Sequence, residues 1–185
     1  AGLHNALASL PIRSLVKPLN QRMFLIISGD AVRVLIQRVT RAEVRVDNSL
    51  VGSIQEGLCM FVGVTHSDTP QDATRLAERA SNLRILQDAD GKMNRSLRDS
   101  GGSALVISQF TLYADTRRGR RPSFVDAAAP DDARLLIATF VETLQAVPIT
   151  VEEGIFGADM AVSLTNDGPV TILLEQPSST AELGC

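Results

Sequence analysis

Leu105-Val106-Ile107 is followed directly by Ser108-Gln109-Phe110-Thr111 and then by Leu112-Tyr113-Ala114-Asp115. The apolar run predicts a short buried strand. Hydroxyl and amide side chains appear as soon as that strand ends, at Ser108, Gln109 and Thr111. Polar groups in this position often lie at the rim of a pocket, but Ser and Thr are also frequent at ordinary strand ends and turns. The segment therefore predicts a strand, and its polar end is either a binding site or a plain turn.

Strand patterns flank this segment on both sides. Residues 57–64 are apolar throughout, which predicts a strand that is buried on both faces. Earlier in the chain, Asp47-Asn48 is a turn signal between two further strand patterns and predicts a β-hairpin. The strands predicted in this way are residues 32–39, 42–46, 50–54, 57–64, 105–107, 149–151, 161–164 and 170–174.

Two segments place apolar residues at helical spacing. Thr69 is suited to cap the first helix, with Pro70 in its first position, and a second helix is predicted to begin at Pro130 and to stop before Pro148. Their apolar stripes are Ala73, Leu76, Ala77, Ala80 and Leu83, and Ala133, Leu136, Ile137, Phe140 and Leu144. Residues 88–92 predict a turn, and residues 94–102 predict an irregular polar segment. Strands and helices with no linker between them predict one mixed α/β domain.

The composition is that of an ordinary globular protein. The chain has 185 residues, of which 44% are hydrophobic and 21% charged, and its formal net charge is -3. An acidic net charge gives no global attraction to nucleic acid or anionic lipid. Cys59 and Cys185 cannot form a disulfide framework, and His4 and His66 have no cysteine partners at zinc spacing. We therefore expect no metal, no cofactor and no attachment to a membrane.

The beginning of the chain differs from the rest. Residues 1–29 contain no Asp or Glu but include Arg13, Lys17 and Arg22, which resembles a transit peptide weakly. A non-native leader, or translation from an upstream start, is the favoured explanation. We expect a leader at residues 1–31, a domain at residues 32–176 and a polar tail at residues 177–185. The expected location is the cytoplasm, and an organelle is the alternative if the leader is a transit peptide.

Two motifs carry a resemblance to a known family. Ser108-Gln109-Phe110-Thr111 and Asn166-Asp167-Gly168-Pro169-Val170-Thr171 resemble the signature motifs of D-aminoacyl-tRNA deacylase, also called D-tyrosyl-tRNA deacylase. Residues 37–39, 91–94, 121–124 and 156–160 also resemble this family, in the same order along the chain. The resemblance covers residues 32–176, and Val32 stands where the family usually begins with Met.

The resemblance implies a barrel-like mixed sheet with two main helices and a homodimer whose active site lies at the dimer interface. It implies hydrolysis of the ester that joins a D-amino acid, or mischarged glycine, to the terminal adenosine of tRNA. Neither DNA nor a membrane is an implied partner. The residues that it assigns to the site are Ser108, Gln109, Phe110, Thr111 and Met160 from one subunit, Gly168 and Pro169 from the other, and Arg38 to fix the Gly168-Pro169 segment.

The Gly168-Pro169 pair also has a physical interpretation of its own. A cis bond before proline costs little, roughly 0.5–1 kcal/mol. In the cis form neighbouring carbonyl groups can point the same way into a pocket, and Gly168 adds no Cβ that would obstruct a substrate. The alternative is a trans Asp-Gly-Pro turn between two strands. The resemblance favours the cis form.

The sequence contains no conventional apparatus for ester hydrolysis. There is no Gly-x-Ser-x-Gly motif, and neither His4 nor His66 lies in a motif that would make it a base for Ser or Thr. This suits the chemistry that the family is thought to use, in which the 2′-hydroxyl of the terminal ribose assists water. Thr111 is then expected to position the ester and support the oxyanion, and Ser108 and Gln109 to supply further hydrogen bonds.

A positive segment follows the first motif. Arg117, Arg118, Arg120 and Arg121 surround Gly119, and guanidinium groups are well suited to phosphate oxygens. We predict contact with tRNA phosphate, and a solvated loop is the alternative. Two rival functions follow from the same residues: an RNA-binding module without catalysis, or a hydrolase of small esters that uses Thr or Ser as its nucleophile. One Tyr and no Trp count against the first rival.

Overall fold

The longest strands of the protein, β1 and β8, pair with each other and organise the sheet. The structure, a computed structural model, describes residues 31–179. Its elements are β1 (Ala31–Val46), β2 (Ser49–Ile54), β3 (Gly57–Gly63), α1 (Pro70–Asn82), β4 (Leu86–Gln87), β5 (Met93–Arg95), α2 (Leu97–Ser100), β6 (Ser103–Ser108), a 3-10 helix (Phe110–Tyr113), α3 (Pro130–Gln145), β7 (Thr150–Glu153) and β8 (Ala161–Pro177).

The main sheet is mixed and nearly closes into a barrel. Its strand order is β2-β1-β3-β6-β7, and β8 pairs with the other edge of β1. β1 is antiparallel to β2, β3 and β8, whereas β3–β6 and β6–β7 are parallel. The two ends of the order approach each other, since a Cβ built on Gly52 of β2 would lie 3.0 Å from the carbonyl oxygen of Glu153 in β7. The predicted α/β fold with a barrel-like mixed sheet is confirmed.

Helices α1 and α3 pack their predicted apolar stripes on the sheet. Leu76 of α1 and Phe140 of α3 are buried in one cluster with Ile36 of β1 and Met60 of β3. Burial of such side chains stabilises the fold by roughly 1.5–3 kcal/mol each. Thr69 caps α1 as predicted, in a capping box with Asp72. α3 ends at Gln145, before Pro148.

Three predictions about secondary structure were wrong in detail. Residues 32–39 and 42–46 form one continuous strand, β1, and residues 161–164 and 170–174 form one continuous strand, β8. Both strands continue because they pair with each other over almost their whole length. Residues 94–102, predicted to be irregular, contain the end of β5 and the short helix α2, which Ser96 and Asp99 cap. The Asp47-Asn48 hairpin turn is confirmed, with both residues at positive φ.

The two ends of the described chain are tied to the domain. Ala31, placed in the leader by sequence, is the first residue of β1 and pairs with Pro177, the last residue of β8. Ser178 is buried and donates a hydrogen bond to the carbonyl of Ser67 at 2.6 Å. The rest of the predicted leader and residues 180–185 of the predicted tail lie outside the described residues. Within residues 31–179, the structure contains no helix long and apolar enough to cross a membrane.

Candidate active site

The polar segment after β6 turns sharply beside the end of β3. The backbone N–H of Gln109 donates to the carbonyl of Val62 at 2.7 Å, which prolongs the parallel β3–β6 pairing. A Cβ on Gly63 would lie 2.9 Å from the carbonyl oxygen of Gln109, so this close approach requires glycine. The chain then enters the 3-10 helix at Phe110. The fold thereby sets Ser108 and Gln109 at the end of a buried strand, as the sequence predicts.

A cavity of about 570 Å³ opens beside this segment. It brings together four of the predicted site residues, Ser108, Gln109, Phe110 and Met160. The rest of its lining is mainly apolar: Val64, Ile107, Phe124, Ala127, Ala128, Pro130, Ala133, Ile137, Phe156, Gly157, Ala158, Asp159 and Val162. A concave, largely apolar site with a few polar groups at one edge is the usual form of a site for a small ligand.

Thr111 lies at the surface next to this cavity and does not line it. The side-chain amide of Gln109 donates a hydrogen bond to its hydroxyl. Among the described residues, no imidazole, amine or carboxylate is hydrogen-bonded to that hydroxyl. An amide is not a base, so the arrangement orients the Thr111 hydroxyl without activating it as a nucleophile.

Gly168 and Pro169 are exposed and form the tip of a loop in β8, residues 167–170, which we call the Gly-Pro loop. The Gly168-Pro169 bond is cis, as predicted. The buried side chain of Arg38 reaches this loop from β1, with its Nε 2.9 Å from the Oδ2 of Asp167. Arg38 and Asp167 line a separate cavity of about 380 Å³. Gly168, Pro169 and Arg38 are therefore brought to one another but not to the cavity beside Ser108.

The arginine cluster lies in an exposed loop after the 3-10 helix. Arg117 donates two hydrogen bonds to the carboxylate of Asp115, from Nε to Oδ1 at 2.9 Å and from Nη2 to Oδ2 at 2.9 Å. The hydrogen bond from the Arg117 side chain lowers the pKa of Asp115 to about 2. Arg118, Arg120 and Arg121 are exposed on the same loop. One of the four arginines thus has a carboxylate partner, and the other three project into solvent.

Two aromatic residues of the cavity, Phe124 and Phe156, were not assigned to the site from sequence. Phe124 packs edge-on against Phe110, with 5.0 Å between the ring centroids. Phe156 is covered by the guanidinium of Arg134, 4.6 Å from the ring centroid. Both residues fall inside segments that resemble the family, residues 121–124 and 156–160, so that signal was present. Their contact with Phe110 and α3 depends on the fold and has no local signature.

Cys59 and His66 are the only cysteine and histidine among the residues that the structure describes. Cys59 is buried, and desolvation raises the pKa of its thiol to about 12, so it stays protonated and unreactive. His66 is exposed, and its Nε2 lies 2.8 Å from the carbonyl of Val125. Within residues 31–179, no three His, Cys, Asp or Glu side chains are grouped so as to hold a metal ion.

Comparison with known proteins places this chain in a family. The sequence profile described as D-Tyr-tRNA(Tyr) deacylase matches residues 35–175. The D-aminoacyl-tRNA deacylase of Thermomicrobium roseum is 59% identical over 144 residues, which are 78% of this chain and 94% of that protein. The D-aminoacyl-tRNA deacylase of Deinococcus deserti is 53% identical over 146 residues, which are 79% of this chain and 100% of that protein.

Solved structures share the fold, among them two that align over 78% of this chain. The c-Myc DNA Unwinding Element Binding Protein superposes with a TM-score of 0.74 at 36% identity, over 78% of this chain and 99% of that one. A probable eukaryotic D-amino acid tRNA deacylase superposes with a TM-score of 0.69 over the same shares of both chains. Its 16% identity establishes likeness of fold alone. From the matched profile and from relatives that align over nearly their whole length, the chain belongs to the D-Tyr-tRNA(Tyr) deacylase family.

Proposed function

We propose that the protein is a hydrolase that cleaves the ester bond of D-aminoacyl-tRNA and releases the D-amino acid and free tRNA, which removes wrongly charged tRNA from translation. The observation that carries this proposal is the identity of 59% with a D-aminoacyl-tRNA deacylase over 94% of that protein's length. The site agrees with it, because an apolar cavity edged by hydroxyl and amide groups can hold an aminoacyl ester.

The cavity beside Ser108 is proposed to receive the aminoacylated 3′ end of tRNA. Ser108, Gln109 and Met160 line this cavity. Ser108 and Gln109 are proposed to donate hydrogen bonds to the ester, and Met160 is proposed to contribute apolar surface beside it. Phe110 is 58% exposed and Phe124 is 36% exposed, so their paired rings offer an aromatic surface at the mouth of the cavity. Nucleic-acid bases stack on such surfaces, and the terminal adenine is the base nearest to the ester.

Hydrolysis is proposed to proceed without a covalent enzyme intermediate. Water attacks the ester carbonyl carbon, and the carbon–oxygen bond to the ribose 3′-oxygen then breaks as that oxygen takes up a proton. The 2′-hydroxyl of the same ribose is the group proposed to assist the water. Thr111, oriented by Gln109, is proposed to steady the ester or its oxyanion, where one well-placed donor contributes roughly 2.7–4 kcal/mol.

A homodimer is proposed because the site is incomplete in one chain. Gly168 and Pro169 are exposed and do not line the cavity beside Ser108 of their own chain. In the proposed dimer, the Gly-Pro loop of one subunit enters the cavity of the other. β8 is an edge strand with partly exposed apolar side chains, among them Leu173 at 50% exposure, which a second subunit would cover.

Gly168 and Pro169 are proposed to select the D configuration by exclusion. Their backbone atoms would face the Cα of the bound amino acid, so an L side chain would collide with them and a D side chain would point away. Glycine has no side chain to exclude, and glycyl-tRNA mischarged on tRNA-Ala is proposed as a second substrate. A wall of backbone atoms rejects one configuration without measuring the size of the other.

The partner that follows from this activity is tRNA, and we propose no DNA partner and a cytoplasmic location, where aminoacyl-tRNA is used. Arg117, Arg118, Arg120 and Arg121 are proposed to contact tRNA phosphate, since three of them are exposed and have no carboxylate partner among the described residues. The proposed unit of function is the domain predicted from sequence, residues 32–176, together with Ala31 and Pro177, which pair with each other at the ends of β1 and β8. The proposal places no activity in the leader or in the tail.

The decisive experiment compares three esters at equal concentration: D-tyrosyl-tRNA, L-tyrosyl-tRNA and glycyl-tRNA. We expect rapid release of D-tyrosine and glycine and slow release of L-tyrosine. Equal rates for the two tyrosyl esters would contradict the proposed selection, and no release at all would contradict the activity. Sedimentation at micromolar concentration tests the dimer separately, and a monomer would remove the shared site.

A further inference from the structure

The Gly-Pro loop leaves the β1–β8 ladder at a single point. Gln37 pairs with Thr171 and Val39 pairs with Asn166, so Arg38 alone lies opposite the loop residues Asp167, Gly168, Pro169 and Val170. An insertion of this kind interrupts the ladder and deprives the inserted backbone of its usual strand partners. The position of the loop must therefore be fixed by side chains.

The side-chain amide of Asn166 links the two ends of this loop by hydrogen bonds. Its Oδ1 accepts a hydrogen bond from the backbone N–H of Val170 at 2.8 Å. Its Nδ2 donates to the Oγ1 of Thr171 at 2.8 Å, and the same oxygen accepts from the Nε2 of Gln37 at 3.1 Å. A reversed amide would set an NH2 group against the Val170 N–H, so the contacts define its orientation. We call these bonds of Asn166 the clasp.

Arg38 holds the opposite half of the loop. Its Nε contacts the Asp167 carboxylate, and its Nη1 donates to the carbonyl of Ile85 at 2.7 Å. Arg38 therefore acts on the side where β8 enters the loop, whereas the clasp acts at Val170, where β8 resumes. Loss of the clasp would remove the hydrogen bond that holds the Val170 backbone, and it would leave in place the ion pair of Arg38 and the packing of the Val170 side chain against the core.

We propose that Asn166 is a positioning residue that sets the preference for D over L substrates, acting through its clasp on Val170 and Thr171. The proposal rests on the role of Gly168 and Pro169 given under the proposed function. Gly168 and Pro169 can exclude an L side chain by steric clash only while their backbone atoms are held in a narrow range of positions. The clasp holds Gly168 and Pro169 in position, but Asn166 itself does not line the cavity beside Ser108. Loss of the clasp can therefore change the preference for D over L substrates while the groups proposed for hydrolysis stay in place.

Three substitutions separate the bonds of the clasp. Asn166→Leu keeps the size of the side chain and removes both of its hydrogen bonds. Asn166→Asp keeps the oxygen that faces Val170, and the rotatable Thr171 hydroxyl can donate to the second carboxylate oxygen, so this variant should rescue the clasp. Thr171→Val removes the bond to Nδ2. Thr165→Val is the matched control, because Thr165 is exposed in the same strand and is no part of the clasp.

The measured quantity is the ratio of kcat/KM for D-tyrosyl-tRNA to that for L-tyrosyl-tRNA. We expect this ratio to fall by about tenfold or more in Asn166→Leu, and in the same direction in Thr171→Val, since each loses a bond that holds the loop. Asn166→Asp and Thr165→Val should stay within about twofold of the wild type. An unchanged ratio in both Asn166→Leu and Thr171→Val would overturn the proposal, whether or not kcat falls.

The wild-type protein separates this proposal from the one on which it rests. A wild type that cleaves both esters equally contradicts the proposed function, whereas a selective wild type with equally selective variants contradicts only the clasp. If Asn166→Leu does not fold, Thr171→Val decides. If a variant cleaves neither ester, its relative affinities for non-hydrolysable 3′-amide analogues of D-tyrosyl and L-tyrosyl adenosine report the same discrimination, and an unchanged ratio of affinities overturns the proposal.

Discussion

The side-chain amide of Gln109 donates a hydrogen bond to the hydroxyl of Thr111. The amide occupies a lone pair of the hydroxyl oxygen and takes no proton from it. The oxygen therefore remains a neutral hydroxyl whose own O–H is free to be donated to a substrate oxygen. This hydrogen bond suits Thr111 to a role as a positioning group and not as a nucleophile.

Thr111→Ala should lower kcat without abolishing activity. Removal of one donor that supports an oxyanion costs about 10²–10³-fold in kcat, whereas removal of a nucleophile abolishes the covalent route. Thr111→Ser keeps the hydroxyl and should recover most of the loss. Single-turnover deacylation of D-tyrosyl-tRNA measures both variants. An aminoacyl ester trapped on Thr111 and detected by mass spectrometry would contradict the assignment.

Arg117→Ala should raise the pKa of Asp115 from about 2 toward its ordinary value of 3.8, because the Arg117 side chain is the main cause of the depression. A depressed carboxyl pKa stabilises the folded state above the unfolded-state pKa, and this contribution is lost as the pH falls through 3.8 to about 2. Both side chains are in contact with solvent, so the change in overall stability should be small. An NMR titration of the Asp115 carboxyl carbon measures the shift, and Arg118→Ala is the control that should leave it unchanged.

The exposed arginines should contribute to tRNA affinity and not to stability. Replacement of Arg118 and Arg120 by Ala should raise the KM for D-tyrosyl-tRNA and flatten the dependence of log affinity on log salt by about 0.7–0.9 for each phosphate that the protein no longer neutralises. Replacement of Arg75 and Arg98 removes the same charge from exposed positions of α1 and α2 and serves as the control. If the two double variants had equal effects on KM and on the salt dependence, the arginine cluster would be a solvated loop without a specific contact to tRNA.

Residues 1–30 of the leader are predicted to be dispensable, whereas Ala31, the last residue of the predicted leader, belongs to β1. Ala31 pairs with Pro177, and its carbonyl accepts a hydrogen bond from the buried hydroxyl of Tyr113. A chain shortened to begin at Ala31 should keep the melting temperature and kcat/KM of the full chain. A chain that begins at Val32 loses the pairing of Ala31 with Pro177 and the hydrogen bond that the Ala31 carbonyl accepts, which should lower stability by about 1 kcal/mol or more. A large loss of activity on removal of residues 1–30 would assign the leader to the enzyme.

Local patterns predicted the elements whose signals are local. The capping position of Thr69 and the hairpin turn at Asp47-Asn48 each depend on a few neighbouring residues, and both were predicted correctly. The short helix α2 has the same kind of signal, since Ser96 and Asp99 form a capping box like that of Thr69 and Asp72. The sequence analysis missed α2 because the helix has only one buried apolar residue, Leu97, and therefore no apolar stripe at helical spacing.

The site was less predictable because its contacts join distant parts of the chain. Residues 161–164 and 170–174 were predicted as two strands, since residues 166–169 have the composition of a turn. Pairing with β1 more than a hundred residues earlier makes them one strand with an inserted loop. Likewise, the backbone N–H of Ser179 donates to the buried carboxylate of Asp72 at 3.0 Å, a contact across 107 residues that no local pattern indicates.

Gly168→Ala should impair the enzyme more than its backbone conformation alone explains. Gly168 has a φ of +117°, and a Cβ added there would lie 2.8 Å from a guanidinium nitrogen of Arg38. Gly91→Ala is a matched control, because Gly91 also has a positive φ, +75°, but a Cβ there meets no atom within 4 Å. The control should therefore lose only conformational energy, on the order of 1 kcal/mol, and keep its kcat/KM.

Gly168→Ala must in addition displace Arg38 from the Gly-Pro loop, so its kcat/KM for D-tyrosyl-tRNA should fall by at least about tenfold relative to the control. Melting temperatures of the two variants, measured beside their deacylation rates, separate the two effects. If Gly168→Ala matched Gly91→Ala in both measurements, contact between Arg38 and the loop would have no part in hydrolysis of the D ester.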